Sequence, residues 1–407
     1  MKFFIFRLLL FVFFFSTIVL PQQHSAKITF INANIVNGYQ KEPIENAMVV
    51  VSGRKIERIE TKTSDPPKNS IIIDVQGRYL LPGLIDSHAH LGSLSDARRA
   101  LKSGITTVRS ASVNSFKDIV LREMVQKGIL AGPDILASSI FIQPDLGEAI
   151  LSDGELITLH KGVNSPEELR RLVRIVLDHG VDWIKTRANE RAGILDQDPR
   201  RLVYTREQLQ IIVEEAAKRG VPVMCHAHSE EGVRAAVEAG VQSIEHGTFV
   251  SENTLALMKE KGIFLVPTYS EMFDLTQPFG EYNHPVLQIR GLHMAPRVAR
   301  NIQRAHKMGV RLVAGGDTGY ESHEIARIGI ELNEFVRLGL SPLEALQSAT
   351  TLSAQVLGLS NKTGTIQEGL EADLIVVGEN PLENIWALHD ILFVMSNGQI
   401  ALNHLHP

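Results

Sequence analysis

The chain is poor in cysteine, in aromatic side chains and in runs of one charge. Its single cysteine, Cys225, excludes an intramolecular disulfide framework, so the fold must rest on its core. Lysine and arginine number 41 against 46 acidic residues, a formal net charge of -5, and no basic block stands out. Nothing here points to nucleic acid as a partner. After Leu20 no apolar run is long enough to cross a membrane. What the chain does have is length and apolar content: 407 residues, 44% of them hydrophobic. That suffices for a barrel of about 250 residues with a smaller domain beside it.

Residues 1–26 read as a secretory signal peptide. Lys2 and Arg7 border a run of Phe, Leu, Val and Ile that ends at Leu20, and Pro21 follows. The expectation is a secreted or periplasmic protein with no stable membrane insertion after signal removal. An uncleaved run would instead act as an anchor.

Residues 27–82 and 361–407 share β character. Ile28–Val36, Ala47–Val51 and Ile71–Val75 are β-branched runs broken by turns at Gly38 and Ser52-Gly53, and Asp373–Gly378 and Ile391–Gly398 match them. Both chain ends are expected to pair into one small β-sandwich. Between them, 83–360 alternates short apolar strands with amphipathic helices, the pattern of a parallel sheet and an α/β fold. Ser165-Pro166 with Glu168, Thr205 with Gln208, and Ser341-Pro342 with Glu344 are helix starts. A (β/α)8 TIM barrel is the expected architecture for this stretch.

Leu81-Pro-Gly-Leu-Ile-Asp-Ser-His88-Ala-His90 reads as a strand ending in two histidines. Positions i and i+2 share one strand face, so the imidazoles project together as half of a metal site. Later strands also end in reactive side chains: Lys185, His226-Ala-His228, His246 and Asp317. In a barrel of this kind the strand C-termini converge on one face. Imidazoles and carboxylates there suit zinc and related divalent ions, two of them for this many donors. A lysine among cations is driven towards its neutral amine. That amine can add carbon dioxide and become a bridging carbamate; the alternative is an ion pair with Asp317 or with a substrate carboxylate.

These residues, with Ser243-Ile-Glu-His-Gly-Thr and Gly364-Thr-Ile-Gln-Glu-Gly-Leu-Glu-Ala-Asp-Leu-Ile-Val-Val, resemble the binuclear amidohydrolase superfamily. Within it, His226-Ala-His228 and Val266-Pro-Thr are similar to the Xaa-Pro dipeptidase-like (prolidase-like) carboxypeptidases, related to imidazolonepropionase and ochratoxin-type amidases. The resemblance implies one metal on His88, His90 and Asp317, and a second on His226 and His246. It implies carboxylated Lys185 and a hydroxide between them, Asp317 shuttling the proton and His228 facing the substrate carbonyl. Spacing alone leaves open the reverse, His228 as ligand and His226 buried. The implied reaction is hydrolysis of the amide bond of a dipeptide or N-acyl amino acid; a cyclic-amide hydrolase or deaminase is the alternative. Tyr269, Arg290 and Arg187 are the candidate contacts for a substrate carboxylate. The partner is a small molecule or dipeptide, and a homo-oligomer is compatible with the sequence. Two departures stand out: Thr186-Arg-Ala-Asn-Glu-Arg-Ala-Gly follows the lysine where the group has a small, glycine-rich segment, and Ser110 stands where an aspartate is common.

Overall fold

The computed structural model describes residues 26–62, 65–276, 282, 284–321 and 327–405. All of the signal peptide expected over 1–26 except Ala26 lies outside them. Among the described residues no helix is long and apolar enough to cross a membrane.

Eight strands come from the two chain ends: β1 (Ile28–Ile35), β2 (Ile44–Ser52), β3 (Lys55–Glu60), β4 (Ile71–Asp74) and β5 (Tyr79–Pro82), then β13 (Leu374–Val377), β14 (Ile391–Ser396) and β15 (Gln399–Asn403). They form one sheet in the order β15-β14-β13-β5-β1-β2-β3, with β4 on β1, and not the two separate sheets of a sandwich. Antiparallel pairing of β5 with β13 joins the termini. The single sheet still encloses a core because it curls. Phe30 on β1 and Phe393 on β14 stand three strand positions apart, about 14 Å in a flat sheet. Their rings nevertheless meet edge-on at 5.4 Å.

The intervening strands are β6 (Leu84–Ala89), β7 (Ile105–Ser110), β8 (Asp134–Leu136), β9 (Ile184–Arg187), β10 (Val223–Ala227), β11 (Ser243–His246) and β12 (Phe264–Val266). All their pairings are parallel. They divide into two sheets, β6-β7-β8 and β9 to β12, and not into one closed ring. Backbone hydrogen bonds join the sheets: Ile142 N to Lys185 O at 2.8 Å on one side, Val313 N to Leu265 O at 3.0 Å and Ser87 N to Ala314 O at 3.2 Å on the other. The expected strand Arg311–Asp317 is present only as bridges at Leu312 and Thr318. Gly315 and Gly316 explain why it runs so close to β6: a Cβ on Gly315 would sit 2.7 Å from that of His88.

The helix starts fall where the sequence puts them. Ser165 caps 166–178, and Thr205 and Ser341 form full capping boxes with Gln208 and Glu344. Each satisfies amide groups that a helix N-terminus otherwise leaves unpaired. The helices cover the outer face of the strands in one large apolar core. On the inner face a smaller cluster, with Ile85, Trp183, Met224, Phe264 and Val313, forms an apolar floor. The polar groups sit above it.

Candidate metal centre

Strand register delivers the reactive side chains. Arg187 pairs with His226, and His226 with Glu245, so these positions share the inner face of neighbouring strands. His246 follows Glu245 and by alternation should point outward. Its left-handed backbone, φ 73°, turns it inward instead. Asp317 has the same device at φ 48°. Non-glycine residues adopt this region at a cost of about 1–3 kcal/mol, and such residues gather at functional sites. An irregular register between Asp86 and Ala89 brings His88 inward beside His90.

A cavity of about 220 Å³ is lined by His88, His90, Lys185, His226, His228, His246 and Asp317 together with Phe141, Arg191, Tyr282 and Glu271. The expected ligand set is thus assembled around one space. Three overlapping groups hold donor atoms within 4.8 Å of one another: His226/His228/His246, His88/His90/Asp317, and His246/Glu271/Asp317. His246 and Asp317 are shared, so the groups form one continuous chain of donors.

Tautomers follow from the outer partners. His88 Nδ1 lies 2.6 Å from Glu245 Oε2, and His90 Nδ1 lies 2.6 Å from the Ser112 carbonyl. Neither oxygen can donate, so both Nδ1 atoms carry hydrogen and both Nε2 atoms present lone pairs. Those lone pairs face Asp317 Oδ1 at 3.5 and 3.0 Å. A contact of this kind is satisfied by a proton or by a metal cation between the imidazole and the carboxylate. Burial also holds the imidazoles of His88 and His228 down, to about 4 and about 3, and those of His226 and His246 well below the ordinary value. Neutral imidazoles are the form that ligates. Burial would raise Asp317, but the imidazoles of His88, His90 and His246 hold it well below the usual carboxylate range. The donor set fits divalent ions.

Lys185 is 1% exposed, with Nζ 3.4 Å from His88 Nε2. Burial lowers it to about 8, against the pull of Glu245 and Asp317. A neutral amine is therefore accessible near physiological pH.

The structure adds Glu245, Arg109 and Glu271 to the site. Glu245 is fully buried and accepts from both His88 and Arg109, whose guanidinium lies 3.0 Å from each carboxylate oxygen and over the Trp183 ring at 4.6 Å. Burial would raise this carboxyl, yet Arg109 and the His88 bond hold it far below its ordinary range. The clue was its place beside His246 in the Ser-Ile-Glu-His run, opposite His226 in register. Glu271 lines the cavity and is raised well above its ordinary value, first by burial and then by the charge of Asp317. It lies on a helix with no strand-end spacing to reveal it. We expect Glu245→Gln to weaken metal affinity by about 10- to 100-fold, as loss of an outer-shell partner does. Competition titration with a chelator measures this, and unchanged affinity would remove the role.

The three proposed carboxylate contacts separate. Arg290 donates to the carbonyls of Ala192, Ile194 and Gln197 and ties down the 190s loop. Tyr269 is buried, with its amide on Glu331 and its hydroxyl 3.5 Å from Arg337. Neither borders the catalytic cavity among the described residues. Arg187 is 7% exposed, stacked on Phe141 at 4.4 Å, and its Nε has no hydrogen-bond partner. Desolvating a guanidinium costs several kcal/mol, and one cation–π contact returns about 2 kcal/mol.

Parallel strands that bring imidazoles, an amine and carboxylates to one cavity define a metal-dependent hydrolase. The chain is 29% identical to ochratoxinase of Aspergillus niger over 412 residues, covering 90% of this chain and 85% of that protein. A Xaa-Pro dipeptidase solved with methionine in its active site matches with a TM-score of 0.84 at 28% identity, over 92% of this chain and 99% of that one. Imidazolonepropionase of Hahella chejuensis is 23% identical over 375 residues, 82% of this chain and 87% of that protein. The profile of the amidohydrolase family matches residues 79–401, and the chain belongs to that family.

Proposed function

We propose that the chain hydrolyses the amide bond of a dipeptide or N-acyl amino acid at a centre of two divalent ions, zinc being the first candidate. His88, His90 and Asp317 would hold one ion and His226 and His246 the other, with carboxylated Lys185 as a ligand common to both. The two parallel sheets over 83–360, linked by single bridges at Ile142–Thr186 and Leu265–Leu312, are read as the wall of a (β/α)8 barrel. The observation that carries this reading is the continuous chain of neutral imidazoles and carboxylates, with His88 and His90 turning lone pairs on Asp317. Bound ions would supply Lewis acidity and a hydroxide nucleophile at neutral pH. The chain supplies the rest. Asp317, held ionised, accepts the nucleophile's proton and passes it to the leaving amine. His228 Nε2, buried and partnerless, is placed to donate to the scissile oxygen as charge develops there. The Xaa-Pro dipeptidase neighbour, with methionine in its active site, supports a substrate of amino-acid size.

Metal analysis of the purified protein and an activity screen test this together. We expect about two ions per chain and cleavage of dipeptides or N-acyl amino acids. Turnover confined to hydantoins or imidazolones would replace the reading with cyclic-amide hydrolysis.

A further inference from the structure

We infer that Arg187 is the centre of a carboxylate-binding subsite beside the reaction centre, reached past the Phe141 ring. The inference rests on the amide-hydrolase reading and names the group its substrate must carry: a free carboxylate on the leaving amino acid.

Lys185 and Arg187 lie two residues apart on β9 and therefore share its inner face. Both cations rest on Phe141, Lys185 Nζ at 5.4 Å and Arg187 Cζ at 4.4 Å from the ring centre. Lys185 and Phe141 line the catalytic cavity, whereas Arg187 lines a second cavity of about 630 Å³ with Gln143, Glu190 and Gln197. Arg191 borders both. Phe141, which lines the catalytic cavity, and Arg191, which borders both, stand between the two spaces.

Arg187 is built in without a counter-ion. Among the described residues no carboxylate forms an ion pair with it, and its Nε lacks any acceptor. Glu190, in the same cavity, accepts from Arg201 and the Asp198 amide instead. The hydroxyl of Tyr204, within electrostatic reach of Arg187, is a second buried group with no partner. Arg290 shows the contrast, since its fork is filled by three carbonyls. A guanidinium keeps its charge at neutral pH, and its planar fork matches a carboxylate.

The test uses the full metal-loaded chain, with a cleaved dipeptide and the C-terminal amide of that same dipeptide. We expect the acid to be preferred by about a hundredfold in kcat/KM, as for a buried charge pair. Arg187→Gln should bring the ratio to within about threefold, with the loss falling on the acid. Calorimetric titration with N-acetyl-L-leucine and its amide reads binding without turnover. The acid should bind more tightly, and only while Arg187 is present. Equal loss on acid and amide, or an acid preference that survives in Arg187→Gln, overturns the subsite while leaving the hydrolase reading intact. Arg187-dependent binding of the acid without turnover of either peptide supports the subsite and overturns the hydrolase reading. Should Arg187→Gln fail to fold, Arg187→Lys keeps the charge but loses the fork, and must still weaken the acid preference at least tenfold.

Discussion

Lys185→Ala is expected to lose turnover and bound metal in one step. Rates should fall by roughly a thousandfold or more, since removing a single transition-state donor already costs about a hundred- to a thousandfold. Lys185 Nζ lies 3.4 Å from His88 Nε2, and Trp183 and Met224 belong to the apolar cluster on the inner face. A protonated amine there would repel both ions. On the proposed reading the neutral amine, made accessible by burial, would add carbon dioxide and release a proton, leaving a carbamate anion able to serve as a metal ligand. The alanine variant has neither anion nor bridge. Added propionate is expected to return part of both metal and rate, which a merely structural lysine would not allow. Retention of about two ions per chain with full turnover in Lys185→Ala would sink the carbamate assignment.

What the sequence could reveal of this centre follows from how each residue reaches it. His88, His90 and His226 lie at the ends of apolar strands, where i, i+2 spacing is visible in the letters. Lys185 was conspicuous as a cation inside an apolar run. His246 and Asp317 were found as strand ends, yet parity alone would have sent His246 outward; its left-handed φ is a tertiary fact. Glu245 is one residue from His246 and on the other parity, so both reach the interior only because the backbone reverses between them. Glu271 comes from a helix after β12 and is brought in by chain path alone. The same limit applies to the fold. Alternating strands and helices implied a parallel sheet, and the capping residues located three helix starts. The curl that lets one terminal sheet enclose its own core depends on contacts such as Phe30 with Phe393 across three strand positions. No local pattern encodes that. Arg187, Arg290 and Tyr269 were equivalent as exposed-looking polar residues in the sequence. Only their partners separate a loop tie from an unpaired cation.

The roles of His226 and His228 can be exchanged only by experiment, and the outer hydrogen bonds say which exchange to expect. His226 Nε2 lies 3.2 Å from the Glu190 carbonyl, which accepts and cannot donate. His226 therefore carries its hydrogen on Nε2 and its lone pair on Nδ1, the form of a ligand. His228 Nδ1 meets the Thr248 hydroxyl at 2.8 Å, a group able to play either part. If Thr248 donates, Nε2 of His228 is an N–H without a partner, suited to a developing oxyanion. If Thr248 accepts, Nε2 is a lone pair suited to a metal. His228 stacks on His246 at 4.8 Å, whereas His226 stands edge-on to both rings. A neutral donor over the cluster leaves the His226 and His246 lone pairs to one ion without crowding it with a third imidazole. We therefore expect His228→Asn to keep near-normal metal content and lose roughly a hundredfold or more in kcat, the cost of one oxyanion donor. His226→Asn should shed one ion per chain. Thr248→Val offers a check on the tautomer: it should lower kcat with metal retained, because His228 then loses the hydroxyl that fixes its Nε2 hydrogen. Metal lost from His228→Asn but kept in His226→Asn would reverse the assignment and make Thr248 the acceptor.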